Sequence, residues 1–223
     1  MADRVLHEDN HLIVVNKLSG ELVQGDSTGD RTLADEVRSF LKKKYNKPGD
    51  AFLGVVHRLD RPTSGAVIFA KTSKGLSRMT EAFRNRSVKK VYEALTEQQP
   101  AEDAGTLTHW LFKDRDKNKA ILYKGPKGAA KKAVLHYEVI GRVTDHYLLQ
   151  VELETGRPHQ IRAQLASMKC PIVGDTKYGY PKMMKDKSIA LHARRISFTH
   201  PVSKELLTIE APRPASQMWS KFG

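Results

Sequence analysis

A mixed α+β architecture, with helices flanking a largely antiparallel sheet, is the fold class that this 223-residue sequence predicts. Three observations point there. Apolar runs of strand length alternate irregularly with amphipathic stretches of helical spacing, unlike the regular strand–helix order of a doubly wound parallel sheet. In the second half, the strand-like runs follow one another as hairpins do. No internal repeat or long flexible linker interrupts the chain, so a single domain over residues 1–223 is expected.

The elements follow in order. Val5 to Lys17 carries two apolar runs, with Leu12-Ile13-Val14-Val15 the clearer strand, and Gly20 to Gly29 reads as a loop. Thr32 opens a helix whose apolar face is Leu33, Val37, Phe40 and Leu41, with Asp35 completing an imperfect capping box. Its end at Lys42-Lys43-Lys44 suits the negative pole of a helix dipole and reads as a solvated helix end. Two strands, 52–56 and 66–70, bracket a turn. A second helix from Ser73 buries Leu76, Met79 and Phe83, and 91–96 returns to strand. Beyond a polar separator at 98–103, strands are expected at 106–112, 133–140 and 147–153, with a loop-rich basic segment at 113–132. A third helix follows Pro158, placed as a first helical residue, with Ile161, Leu165 and Met168 as its apolar stripe. Strands at 189–198 and 206–211 close the chain.

Lys and Arg number 38 against 25 Asp and Glu, a formal charge of +13. That excess predicts an anionic partner, nucleic acid first and a membrane surface second. No apolar run reaches transmembrane length, and Met1-Ala2-Asp3-Arg4 does not begin a signal peptide, so a cytoplasmic protein is expected. The single cysteine, Cys170, rules out an internal disulfide, fits a reducing compartment and reads as buried filler. No metal-ligand spacing is present, nor any Walker loop, dinucleotide fingerprint or G-x-S-x-G elbow.

The most informative segment is His57-Arg58-Leu59-Asp60-Arg61-Pro62-Thr63-Ser64-Gly65. It sets one carboxylate between two arginines on a turn between strands. From the residues alone it is either a salt-bridged surface turn or an acid held ionised for chemistry. Lys89-Lys90-Val91-Tyr92 puts a tyrosine at a basic strand entrance, where it either packs or stacks on a base. Glu154 to Arg162 brings Arg157, His159 and Gln160 to a helix start, with Arg162 three residues beyond His159. Phosphate recognition is one reading, an arginine bridging helix to sheet the other. Pro171 to Gly179 is expected to shape a site rather than react.

Together these clusters resemble the RluA-type pseudouridine synthases. His57-Arg58-Leu59-Asp60 with Thr63-Ser64-Gly65 is similar to that family's catalytic motif, and Asn16-Lys17 with Ser19-Gly20 to its N-terminal one. Lys90, Tyr92 and Ala94 fit its tyrosine motif. Gly156-Arg157, His159-Gln160 and Arg162 fit its third motif, continued by Pro171-Ile172, Gly174-Asp175, Tyr178-Gly179 and Leu191-His192-Ala193. The matches run in family order over nearly the whole chain. Leu18, Gln24-Gly25, Pro158 and Ala163-Gln164 depart from the usual pattern and bear on loop shape or RNA fit.

The resemblance implies a cofactor-free, metal-free isomerisation of uridine in tRNA, rRNA or both. Asp60 would be the essential carboxylate, Arg162 its charge partner, and Tyr92 the base-stacking group, available for proton transfer. Arg58 would fill the space left by the flipped uridine, and Lys90, Arg157 and His159 would hold substrate. Arg84, Arg86, Lys89, Lys113, Arg115, Lys127 and Lys131 would grip phosphates. A compact monomer without the small S4-type RNA-binding domain is expected. The alternatives are a catalytically silent RNA-binding module on the same scaffold and a nucleoside or glycoside hydrolase, which normally needs a second carboxylate.

Overall fold

The computed structural model describes residues 1–25 and 29–222, so the middle of the expected Gly20–Gly29 loop lies outside the described residues. The described chain forms two compact units, one of Met1–Lys89 with Ala193–Arg213, the other of Lys90–His192 with the segment from Pro214 onward.

The first unit is built on β1 (Val5–Glu8), β2 (Leu12–Lys17), the short β3 (Gly54–Val55) and β4 (Ser64–Ala70). β2 lies between β1 and β4 in antiparallel register, Leu12 opposite Ala70 and Lys17 opposite Gly65. Buried residues dominate both strands, as expected of apolar runs too continuous for a half-exposed sheet. Helix α1 (Leu33–Lys44) starts where the sequence predicts, and its capping box is complete. Thr32 Oγ1 accepts from the Asp35 N–H at 3.2 Å, and the Asp35 carboxylate accepts from the Thr32 N–H at 3.2 Å. Its far end is tied to β1 through Glu8, which takes hydrogen bonds from Lys44, Lys71 and the Tyr45 hydroxyl. Burial opposes ionisation of Glu8, but these three donors prevail and bring its pKa down to about 2. Helix α2 (Ser73–Arg84) seats Met79 fully and Leu76 and Phe83 partly in a core with Leu12, Val14, Ile68 and Phe198.

In the second unit, β5 (Lys89–Thr96), β6 (Ala104–Asp114), β7 (Lys119–Tyr123), β8 (Lys131–Val143) and β9 (His146–Leu153) are ordered β5-β9-β8-β6-β7. Its ladders are antiparallel, as the hairpin-like spacing predicts. Strand β7 corrects the expectation of a loop across 113–132. Lys119 to Tyr123 alternates facing, with Ala120 buried and Ile121 exposed, but the lysines around it obscure the pattern.

Helix α3 (Gln160–Ser167) also differs from expectation. It begins two residues beyond Pro158, with His159 as its N-cap, and residues 160–165 are all buried rather than only an apolar stripe. The buried polar residues are compatible with this because most of their polar atoms are bonded, Gln164 Oε1 being the exception. Gln164 Nε2 donates to the Leu107 carbonyl at 2.9 Å, and Gln160 bridges Thr155, Arg157 and Val134. The last strands are β10 (Leu191–Thr199) and β11 (Leu206–Glu210), which pair antiparallel, and α4 (Gln217–Ser220) follows them. Cys170 is buried with its thiol pKa pushed up by that burial, as the sequence predicts. Among the described residues no helix is long and apolar enough to cross a membrane.

Candidate functional site

In the first unit, Asp60 lies half-buried in the turn between β3 and β4. Its carbonyl accepts from the Thr63 N–H at 3.0 Å, which closes the turn across Pro62. The end of β2 holds this turn from beneath. Lys17 is fully buried, and its ammonium donates to the carbonyls of Leu18, Arg61 and Thr63 at 3.0, 3.0 and 2.6 Å. Ser19 Oγ donates to the Pro62 carbonyl at 2.8 Å, and the Gly20 N–H to the Arg61 carbonyl at 2.8 Å. Desolvation pushes the Lys17 pKa down to about 8, opposed by the carboxylates of Glu21 and Asp60.

The two arginines beside Asp60 differ. Arg61 is anchored to the scaffold, through Nε to the Gly20 carbonyl at 3.0 Å and through an ion pair with Asp30 at 3.0 Å. Arg58 is exposed. His57 faces inward, where Nε2 accepts from the Ile68 N–H at 3.0 Å and the ring stacks on Phe83 with centroids 4.7 Å apart. Behind Asp60, Gly65 has φ +117°, and a Cβ built there would lie 2.4 Å from the Ala193 carbonyl oxygen. Only glycine permits this approach of two backbones.

In the second unit, β5 presents Lys90 and Tyr92, both half-buried, with Tyr92 opposite Val151. Lys90 Nζ reaches within 3.5 Å of where a Gly156 Cβ would stand. Arg157 Nε donates to the Lys132 carbonyl at 3.0 Å, which fixes the loop before α3. His159 adopts a left-handed backbone, φ +53°, a conformation of modest cost in a non-glycine residue. Its ring is pinned on both edges. Nδ1 lies 2.8 Å from the Tyr178 hydroxyl and Nε2 lies 3.4 Å from Lys113 Nζ.

Arg162 is buried, and Nε and Nη2 grip the two oxygens of Asp175 at 2.7 and 2.8 Å. The face of Tyr178 lies 5.1 Å from the guanidinium carbon. A groove of about 720 Å³ in this unit is lined in part by Lys113, Arg115, Lys131 and Arg157, with Asp114 and Asp116 among the other lining residues.

Within the second unit the structure thus gathers Lys90 beside Gly156, and His159 and Arg162 about a shared Tyr178. Sequence reasoning gave no separate role to Lys17, Asp175 or Tyr178. A lysine ending an apolar strand, and an aspartate and a tyrosine between two glycines, were the available signals. Among the described residues no group of three or more His, Cys, Asp or Glu is placed to hold a metal ion.

Residues 11–167 match the family model described as RNA pseudouridylate synthase. The chain belongs to that family. The matched span includes all of the candidate residues from Arg58 to Arg162. The chain is 34% identical over 215 residues to an uncharacterized RNA pseudouridine synthase of Synechocystis, covering 95% of this chain and 65% of that one. It is 35% identical over 216 residues to ribosomal large subunit pseudouridine synthase C of Buchnera aphidicola, covering 93% and 66%. It therefore spans about two thirds of the length of these relatives. The structure described as human RNA pseudouridylate synthase domain containing 4 superposes with a TM-score of 0.80 at 26% identity, covering 96% of this chain and 90% of that one.

Proposed function

We propose that this protein is an RNA pseudouridine synthase that isomerises uridines in tRNA, rRNA or both. The observation that carries the reading is the family match over residues 11–167, a span that contains Asp60, Tyr92 and Arg162. The Buchnera relative is named for the large ribosomal subunit, which supports rRNA as one substrate class.

The reaction breaks the bond between the ribose C1′ and uracil N1, turns the base, and joins C1′ to C5, whose proton is lost while N1 gains one. Asp60 serves the electron-poor sugar carbon, as carboxylates do in glycosidic chemistry, by direct attack or by supporting a glycal route. Its turn is suited to the task because Lys17, Ser19 and Gly20 fix the backbone that follows it, from Arg61 to Thr63. Arg162 serves as the catalytic cation, and Tyr92 stacks on the extruded base and offers its hydroxyl for proton transfer. Exposed Arg58 fills the vacated position in the RNA, offsetting part of a flipping cost of about a few kcal/mol. Lys90, Arg157 and His159 hold the substrate. The exposed Arg84, Arg86, Lys89, Arg115, Lys127 and Lys131 and the half-buried Lys113 contact phosphates.

Carbodiimide mapping by primer extension on cellular RNA tests this reading. Wild-type protein should create new stops one nucleotide from modified uridines, and Asp60→Asn should create none while still binding RNA. Identical maps from the two proteins would refute it, and released free uracil would indicate hydrolysis instead.

A further inference from the structure

We infer that Asp175 and Tyr178 are positioning residues that fix the plane of the Arg162 guanidinium before RNA arrives. The inference rests on the reading above that Arg162 serves catalysis, and it assigns work to two residues outside the matched span of 11–167.

Three constraints act on one side chain. The Asp175 carboxylate takes Nε and Nη2 of Arg162 in a two-bond fork, which sets both the plane of the guanidinium and its rotation within that plane. The Tyr178 ring covers one face, its centroid 5.1 Å from the guanidinium carbon. Nη1 lies outside the fork, on the edge that this arrangement aims. An arginine left to its own rotamers would lose side-chain freedom on binding, and here that ordering is complete in the folded protein.

The positioning residues are themselves positioned. Asp175 sits on a tight turn whose N–H donates to the Ile172 carbonyl at 2.9 Å, and whose carbonyl accepts from Tyr178 and Tyr180 at 3.0 and 3.1 Å. Gly174 before it has φ +84°, and a Cβ there would stand 2.7 Å from the Ser188 carbonyl, so the turn excludes any side chain at that point. The Tyr178 hydroxyl accepts from the Ala120 N–H at 2.7 Å and shares a hydrogen bond with His159 Nδ1 at 2.8 Å, which holds the ring over Arg162. One tyrosine therefore steadies Arg162 with its face and His159 with its hydroxyl.

Stability alone does not explain the pair. A buried ion pair is seldom worth more to folding than well-packed apolar residues of the same volume, whereas its directional geometry is what an apolar pair cannot supply.

Single-turnover pseudouridine formation, RNA affinity and thermal melting separate the possibilities. Asp175→Asn should lower the single-turnover rate by about 100-fold, the effect of misplacing a catalytic group by roughly 1 Å. RNA affinity should stay within about threefold, because Asp175 is not proposed to touch RNA. In an Arg162→Lys background the same substitution should add less than about threefold, because the fork is already gone. Tyr178→Leu should also lower the rate, whereas Tyr178→Phe keeps the ring and should mainly weaken RNA binding through His159.

A folded Asp175→Asn protein with wild-type rate overturns the inference, and so do effects of Asp175→Asn and Arg162→Lys that simply multiply. Tyr178→Leu leaves the ion pair intact, so its full activity overturns the inference even if Asp175→Asn does not fold. Asp60→Asn run alongside keeps the two levels apart. An active Asp60→Asn sinks the catalytic reading itself, whereas an inactive Asp60→Asn beside a fully active Asp175→Asn sinks only the positioning role.

Discussion

Replacing Lys17 with methionine probes how the Asp60 turn is held. The substitution keeps the length of the side chain and removes its charge. Three carbonyls, of Leu18, Arg61 and Thr63, then lose an ammonium donor in a site closed to solvent. Hydrogen bonds to a charged group contribute about 1.5–3 kcal/mol each, so the three together come to about 5–9 kcal/mol. Against this stands relief from burying the ammonium. The lowering of its pKa from 10.5 to about 8 corresponds to a bias of roughly 3 kcal/mol against the charged form. The net expectation is a loss of about 2–6 kcal/mol. Urea denaturation followed by circular dichroism should show a lower midpoint with an unchanged slope. Single-turnover activity under conditions where the variant remains folded should fall as well, because the backbone flanking Asp60 is no longer fixed. A Lys17→Met protein within about 0.5 kcal/mol of wild type would refute the reasoning, since that is the range of an ordinary surface substitution.

The same lysine predicts a pH response. Its folded pKa lies below its unfolded value, so between pH 8 and 10.5 the unfolded chain holds the extra proton and stability should rise with pH. Activity should move the other way, with an alkaline limb near pH 8 as the ammonium clamp is lost, and that limb should be absent from Lys17→Met, which has no ammonium to lose. Gly65→Ala forces a side chain at φ +117° against the Ala193 backbone 2.4 Å away, and a loss of about 3–5 kcal/mol in denaturation is expected. Thr32→Ala removes one half of the α1 capping box and should cost about 1 kcal/mol with activity unchanged.

Much of the fold was legible because its signals are local. The start of α1 is written in Thr32, Asp35 and the apolar spacing after them, and β2 and β4 are runs of apolar residues. Strand β7 was not, because Lys117, Lys119 and Lys124 mask its short alternation and only pairing with β6 reveals it. The burial of α3 was not legible either. Gln160, Arg162 and Gln164 read as a polar face, and only partners from Val134, Asp175 and Leu107 make their burial tolerable. The candidate site divides along the same line. Asp60 stood out through its flanking charges, whereas Lys17 looked like the polar end of a strand and Asp175 like a turn residue. The Asp175 carboxylate meets Arg162 only because the turn after Gly174 brings residues thirteen apart in sequence together. His57 and Arg61, polar neighbours of Asp60, both turn out to be structural.

In the proposed reaction, Asp60 is the carboxylate on which the isomerisation depends. Joining C1′ to C5 expels the C5 hydrogen, so tritium release from RNA carrying 5-tritiated uridine reports the reaction directly. The account predicts release by wild type and none by Asp60→Asn, with RNA affinity retained within about threefold because the turn backbone is held from Lys17 rather than through the carboxylate. Tritium release by Asp60→Asn at the wild-type rate would contradict it.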